Sequence, residues 1–203
     1  LVGNEEISFD ENLEKIIEAK AFYYLMTKDE KIGLEAVQLT KSYVSRVSFG
    51  NLLDITREIG RTIHITAEVY DWCYDLMNKE DLAFLRNNLM RLAMDMEIGW
   101  PPFLQPIVNG HGAEAQIKRD LLSMAIAIYD EDPIPYQYCA YTVLEELVPM
   151  RKFEYQSPKH NQGINYGAYR INWDFHAAWL YKRMIGKEIF DPNIKNTGDY
   201  WLY

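Results

Sequence analysis

Apolar residues recur at intervals of three and four along almost the whole chain, the spacing that puts side chains on one face of a helix. Leu13, Ile16, Ile17, Ala21, Tyr24 and Leu25 form a first stripe, which Thr27-Lys28-Asp29-Glu30 interrupts. Ala36, Thr40, Tyr43, Val44 and Val47 form a second. Ile55, Ile59, Ile63, Thr66, Val69 and Cys73 predict a longer third helix. A fourth starts after Asn78, a residue suited to cap a helix, and runs through Leu82, Leu85, Leu89, Leu92 and Met96. Ile117, Leu121, Met124 and Ile128 mark a fifth. A sixth covers about Tyr136 to Val148 and is expected to stop at Pro149. Trp173, Ala177, Leu180 and Met184 mark a seventh, ending near Gly186. No alternating run is long enough to predict a useful strand.

The pattern predicts an all-α protein built of antiparallel helical hairpins. A bundle, an α-solenoid and an α/α toroid all remain open on this pattern. No motif repeats at a fixed period, which argues against a regular repeat array. Two long segments stand between helices, Ile98 to Gly112 and Pro149 to Gly167. Both exceed the roughly 2–8 residues usual between helices, and long loops often carry function. Each precedes a helix N-terminus, where anions are favoured. The stretch Phe190 to Tyr203 is turn-rich and reads as a link to a further segment.

Composition narrows the function. The chain has 203 residues and a net charge of -9, a poor match for a nucleic-acid binder. An anionic ligand would need a local basic cleft. Aromatics make up 14%, a share that suits sugar rings as well as core packing. Cys73 and Cys139 lie in apolar helical patterns without C-x-x-C spacing, so they are expected as buried free thiols. No apolar run approaches the roughly 20 residues needed to cross a membrane. The opening Leu1-Val2-Gly3-Asn4, with no initiator Met and no signal peptide, is that expected of an excised or processed segment.

Three constellations could carry chemistry. In Asn109-Gly110-His111-Gly112-Ala113-Glu114, glycines flank the histidine, and His111 and Glu114 are three apart. The same residues also read as a plain helix start, and a His-x-x-Glu pair alone does not close a metal shell, so no metal site is expected. In Asn165-Tyr166-Gly167-Ala168-Tyr169-Arg170, a helix would place Arg170 on the face of Tyr166, where a cation favours the phenolate. Tyr166 is then a candidate proton-transfer group; the alternative is that the tyrosine packs and the arginine pairs with a surface carboxylate. Arg57, Arg61 and His64 form a basic stripe on the third helix, either a solvated face or an anion-binding one. His160 beside Lys159 could join it, whereas His176 reads as a partly buried, satisfied histidine. A glycosidase would need two carboxylates across a cleft, which Glu114 with Asp174 or Glu97 could supply. Nucleophile-elbow, Walker and Rossmann patterns are not found.

The runs N-G-H-G-A-E-A-Q and N-Q-G-I-N-Y-G-A-Y-R, with the separation between His111 and Tyr166, resemble the heparinase II/III-like polysaccharide lyases, which act on heparin and heparan sulfate. The resemblance covers the whole chain. It implies that residues 1–203 are a segment of the N-terminal α/α toroid, an incomplete barrel, whose β-sandwich domains lie elsewhere in the parent chain. It implies β-elimination at uronic acid residues. Tyr166 matches the family's catalytic acid, and its base for one uronate epimer. His111 matches the base proposed for the other epimer, and Glu114 a glutamate near the substrate carboxylate. Arg170 and Arg57 match arginines of the cleft, and Asn165 and Arg61 join them as substrate-binding candidates. Lys118, Arg119 and Lys159 are further candidates for binding sulfates. The expected partners are a sulfated glycosaminoglycan and the β-sandwich domains, with a homodimer allowed and neither nucleic acid nor membrane. No cofactor is expected in this segment; a structural zinc belongs to the β domain, as do a further catalytic histidine and asparagine. The segment alone is therefore expected to be inactive, and the family implies a periplasmic location. Other readings are a lyase for alginate or chondroitin, a noncatalytic helical carbohydrate-binding domain, and a toroid glycoside hydrolase.

Overall fold

Short acidic and amide side chains set where the first helices begin. In the computed structural model, which describes residues 5–50, 55–96, 98–102, 113–159 and 163–202, helix α1 (Glu11–Thr27) is capped by Asp10. Its carboxylate accepts from the backbone N–H groups of Asn12 and Leu13. Lys28 takes a left-handed conformation, and Asp29 then caps helix α2 (Glu30–Val44) in the same way. The polar break between the first two stripes is thus one helix stop and one helix start. Helix α4 (Lys79–Asp95) begins at Asn78, whose Oδ1 accepts from the N–H of Glu80 and of Asp81, each at 2.9 Å. The Asp81 carboxylate accepts from the Asn78 N–H in return, a reciprocal cap.

Helix α3 (Ile55–Trp72) runs between two hydrophobic clusters. Ile65 and Val69 face α1 and α2, joining Ile17, Ala21, Tyr24, Val37 and Tyr43. Ile59, Ile63, Ala67 and Tyr70 face the larger cluster, with Leu85, Leu89 and Leu92 of α4 and side chains from the later helices. A helix apolar on two faces is one surrounded by neighbours. Strand structure among the described residues is a two-residue parallel bridge between β1 (Ile7–Ser8) and β2 (Val47–Ser48). The described chain is all-α in class, and no described helix is long and apolar enough to cross a membrane.

The second half contains two helices interrupted by wide turns. Helix α5 (Ala113–Ala115) passes through a π turn (Gln116–Leu121) into α6 (Leu122–Ala127). Helix α7 (Ile134–Tyr141) passes through a π turn (Thr142–Leu147) into α8 (Val148–Glu154). Pro149 therefore does not stop the sixth helix, contrary to the sequence expectation. Proline is excluded from α-helix interiors because it lacks a donor and clashes with the carbonyl four residues back. Here the Val148 N–H bonds to the Val143 carbonyl, five residues back, so the helix is already widened before the proline. The segment from Pro149 to Gly167 is correspondingly short of a true loop. It is helical to Glu154, and helix α9 (Gly163–Ile185) begins well before Trp173.

The inward face of α9 is also not the stripe expected. Gly167, Arg170, Ile171, Asp174, Ala177 and Tyr181 are buried, while Met184 is exposed and Trp173 half-buried. Two of the buried positions are charged, so an apolar periodicity could not reveal them. Ile16, assigned to the first stripe, is exposed. The terminal stretch is helical too, with a 3-10 turn (Pro192–Asn196) and helix α10 (Thr197–Leu202).

Candidate functional site

Three helices each turn one face toward a cleft of about 460 Å3. Helix α3 contributes Arg57 and Arg61, four apart. The stretch entering and crossing the first π turn contributes Ala115, Gln116, Arg119 and Asp120. Helix α9 contributes Tyr166, Tyr169, Arg170, Asn172 and Trp173, most of them at helical spacings of three and four. Four arginines and one aspartate make the cleft basic in a chain whose net charge is -9.

Arg61 is held from outside the cleft and Arg119 from within its wall. The Arg61 Nε donates to the buried carboxylate of Glu14 at 3.0 Å, and its other nitrogens lie near Glu11 and Glu18 of α1. The Arg119 guanidinium lies 4.4 Å from the centre of the Trp173 ring, and its Nε donates to Asp120. Burial pushes the Asp120 carboxyl up to about 6, against the pull of Arg119. Asp120 fits because Gly60 faces it; a Cβ at that position would overlap the carboxylate. Burial holds Arg170 below the usual arginine range, Arg57 and Arg151 push the same way, and Glu114 and Tyr166 oppose them. Those groups are thus electrostatic neighbours of a single guanidinium.

Behind this wall lies a buried ion cluster. The Lys118 ammonium donates to Glu114 at 2.9 Å and to Asp174. Arg151 donates from Nε to Asp174 at 2.9 Å and from its Nη atoms to Glu114 and Glu154. The Tyr155 hydroxyl also donates to Asp174. Lys118, Arg151, Glu114 and Asp174 are all at most 1% exposed. Asp174, Glu114 and Glu154 keep Arg151 protonated despite its burial. Burial and the Asp174 charge push the Tyr155 phenol up.

The sequence candidates separate accordingly. Tyr166, Arg170, Arg57 and Arg61 line one cleft. Asn165 is exposed on the first turn of α9 and is not among the lining residues. Glu114 sits behind the wall, bound to Lys118 and Arg151. Glu114 and Asp174 do come together, but through shared cations and not across a cleft. Lys118 is fully buried and is removed from the list of sulfate ligands. The stripe Arg57, Arg61 and His64 is not a uniform basic face. Burial, aided by Arg119, His176 and Arg61, pushes His64 down to about 3, and its Nε2 lies 3.4 Å from Glu68. Burial likewise pushes His176 down to about 4, beside Ser123. His111, His160 and Glu97 lie outside the described residues, as does most of the segment from Ile98 to Gly112.

Gln116, Tyr169, Asn172 and Trp173 are cleft residues that sequence reasoning did not single out as a site. The signal was present in part: Gln116, Arg119 and Asp120 are polar residues at i, i+3 and i+4 inside a buried helix. Cys73 and Cys139 are buried free thiols. Among the described residues no group of three or more His, Cys, Asp or Glu side chains is placed to hold a metal ion. No family model matches the chain, and no curated protein matches it.

Proposed function

We propose that this chain is the helical, substrate-binding part of a uronic-acid polysaccharide lyase of the heparinase II/III-like kind, arranged as part of an α/α toroid. The observation that carries the reading is the cleft itself. Tyr166 and Arg170, one turn apart on α9, line it together with Arg57, Arg61 and Arg119. A basic cleft with aromatic walls suits an acidic sugar chain.

The reaction proposed is the β-elimination that the resemblance implies, and the cleft holds groups suited to it. Elimination removes the C5 proton of a uronate and expels the C4-linked oxygen. The arginines screen the C6 carboxylate, so that charge can develop at C5. Tyr166 takes the C5 proton of one epimer and protonates the leaving oxygen. His111 would serve the epimer that presents its proton on the opposite face. Glu114 acts at one remove, as a charge behind Arg170. Heparin or heparan sulfate is the substrate proposed.

A second reading is supported by one observation. Glu114 is sequestered in the ion cluster, which suits a noncatalytic carbohydrate-binding domain. Incubating the full-length protein with heparan sulfate and following the ultraviolet absorbance of unsaturated uronate separates the two. A rise supports the lyase; binding without a rise supports the binding domain. Product from alginate or chondroitin alone would change the polymer and keep the chemistry.

A further inference from the structure

Gln116 lines the cleft and is only 1% exposed. Neither Oε1 nor Nε2 has a hydrogen-bond partner among the described residues. A buried polar group left in this state has lost its water without gaining a partner, which is unfavourable. The unpaired carboxamide is covered in this conformation, so it gains partners by turning into the cleft when an occupant fills it.

Its neighbours define that occupant. Arg57, Arg61, Arg119 and Arg170 are donors only, and they favour acidic oxygens. Gln116 Nε2 adds one more donor. Oε1 is different, because it must receive a hydrogen, and a sulfate or carboxylate has none to give. The Asp120 carboxylate, an acceptor in the same wall, already accepts from Arg119.

We propose that Gln116 determines specificity, with Nε2 donating to an acidic oxygen of a sugar acid and Oε1 accepting from a free hydroxyl on the same ring. The inference rests on the reading of the cleft as a uronate site. It makes the preferred ligand a uronic acid with an unsubstituted ring hydroxyl. O-sulfation removes the hydrogen that Oε1 needs and sets acidic oxygens against it. The arginines then attract the sulfated chain through charge alone, while Gln116 opposes it.

The test is calorimetric titration of the chain, at fixed ionic strength, with a nonsulfated glucuronate-containing hexasaccharide and with its counterpart O-sulfated on the uronates. Gln116→Met, similar in size and without an amide, is expected to weaken the nonsulfated ligand about tenfold and the sulfated one less than about twofold. Gln116→Glu keeps an acceptor and adds negative charge, so it should weaken the sulfated ligand more than the nonsulfated one. Circular dichroism and a thermal melt check each variant, and the Glu variant carries the test if the Met variant does not fold. Equal losses for both ligands, or no loss in Gln116→Met, would overturn the role of Gln116 and leave the uronate cleft standing. No binding of either ligand by the unaltered chain would overturn both.

Discussion

Arg151 and Asp174 bind each other through Nε and Oδ2 at 2.9 Å, joining α8 to α9 in a place where neither side chain touches water. The pair belongs to a cluster in which two cations meet three carboxylates, and Arg170 of the cleft wall feels its charge. Removing one partner leaves an uncompensated buried charge. Asp174→Ala is expected to destabilise the chain by about 3–5 kcal/mol. Urea denaturation measures this; a loss below about 1 kcal/mol would show that the cluster is open to water in solution.

Gly60 and Asp120 approach each other so closely that a methyl group on the glycine would overlap the carboxylate. In most helix interiors Gly→Ala is stabilising, because alanine is the better helix former. Here the sign should reverse. Gly60→Ala is expected to cost about 1–3 kcal/mol through overpacking, and to displace Arg119 from Trp173. Tryptophan fluorescence and thermal denaturation report the two effects; a variant that melts higher than the parent would contradict the contact.

Acid and base should act on this chain through opposite groups. His64 and His176 are held down to about 3 and about 4 by burial, against roughly 6.5 when unfolded. Their contribution to stability is present above roughly 6.5 and is lost as pH falls toward the folded values. Burial raises Glu14 and Glu68 to about 7, against roughly 4.3 when unfolded. Their contribution is full below roughly 4.3 and is lost as pH rises through about 7. Between those limits the two effects oppose each other. The double variant His64→Gln/His176→Gln should therefore gain more stability than the parent on acidification from pH 6.5 to 4.5. Glu14→Gln/Glu68→Gln should lose more. Parallel stability profiles for all three proteins would remove these groups from the account.

Tyr166 is about half exposed in the cleft, and Arg170 is buried one turn away. On the lyase reading, Tyr166→Phe in the full-length protein should reduce cleavage of glucuronate-containing substrate at least about a hundredfold, the usual worth of a proton-transfer group. Binding should change little, since the ring remains. Appreciable residual elimination would take Tyr166 out of the mechanism. Arg170→Lys should instead weaken binding, because an ammonium cannot reproduce a planar fork of donors.

The helices were legible because burial and apolar periodicity coincide over most of the chain. Leu85, Leu89 and Leu92, or Ala36, Tyr43 and Val44, are buried as their spacing predicts. The reading failed where burial and polarity coincide. Lys118, Arg151, Glu114 and Asp174 look like solvated charges in sequence; Glu114 and Lys118 stand at i and i+4, but no local spacing joins Lys118 or Arg151 to Asp174, 56 and 23 residues away. The inward face of α9 was misplaced for the same reason, because Arg170 and Asp174 occupy it. Pro149 misled for another reason: a π turn changes the hydrogen-bonding rule on which the helix-stop signal depends. Within the candidate site, Tyr166 with Arg170 and Arg57 with Arg61 could be read from four-residue spacing. Gln116 shows only as a polar position in step with Arg119 and Asp120; that its amide lacks a partner is not visible in sequence.

The turn at Gln116–Leu121 has the form of an added residue that a helix has absorbed without breaking. Deleting one residue there would restore ordinary helical winding; because the wide turn takes up the extra residue, the flanking stretches would keep their faces and only the side chains inside the turn would shift. Lys118 of the ion cluster and Arg119 and Asp120 of the cleft all lie inside the turn and would shift together. The cleft and the ion cluster are thus tied to the same accident of chain length. A chain one residue shorter in this turn would have to re-place the lysine of the cluster and the arginine of the cleft at once.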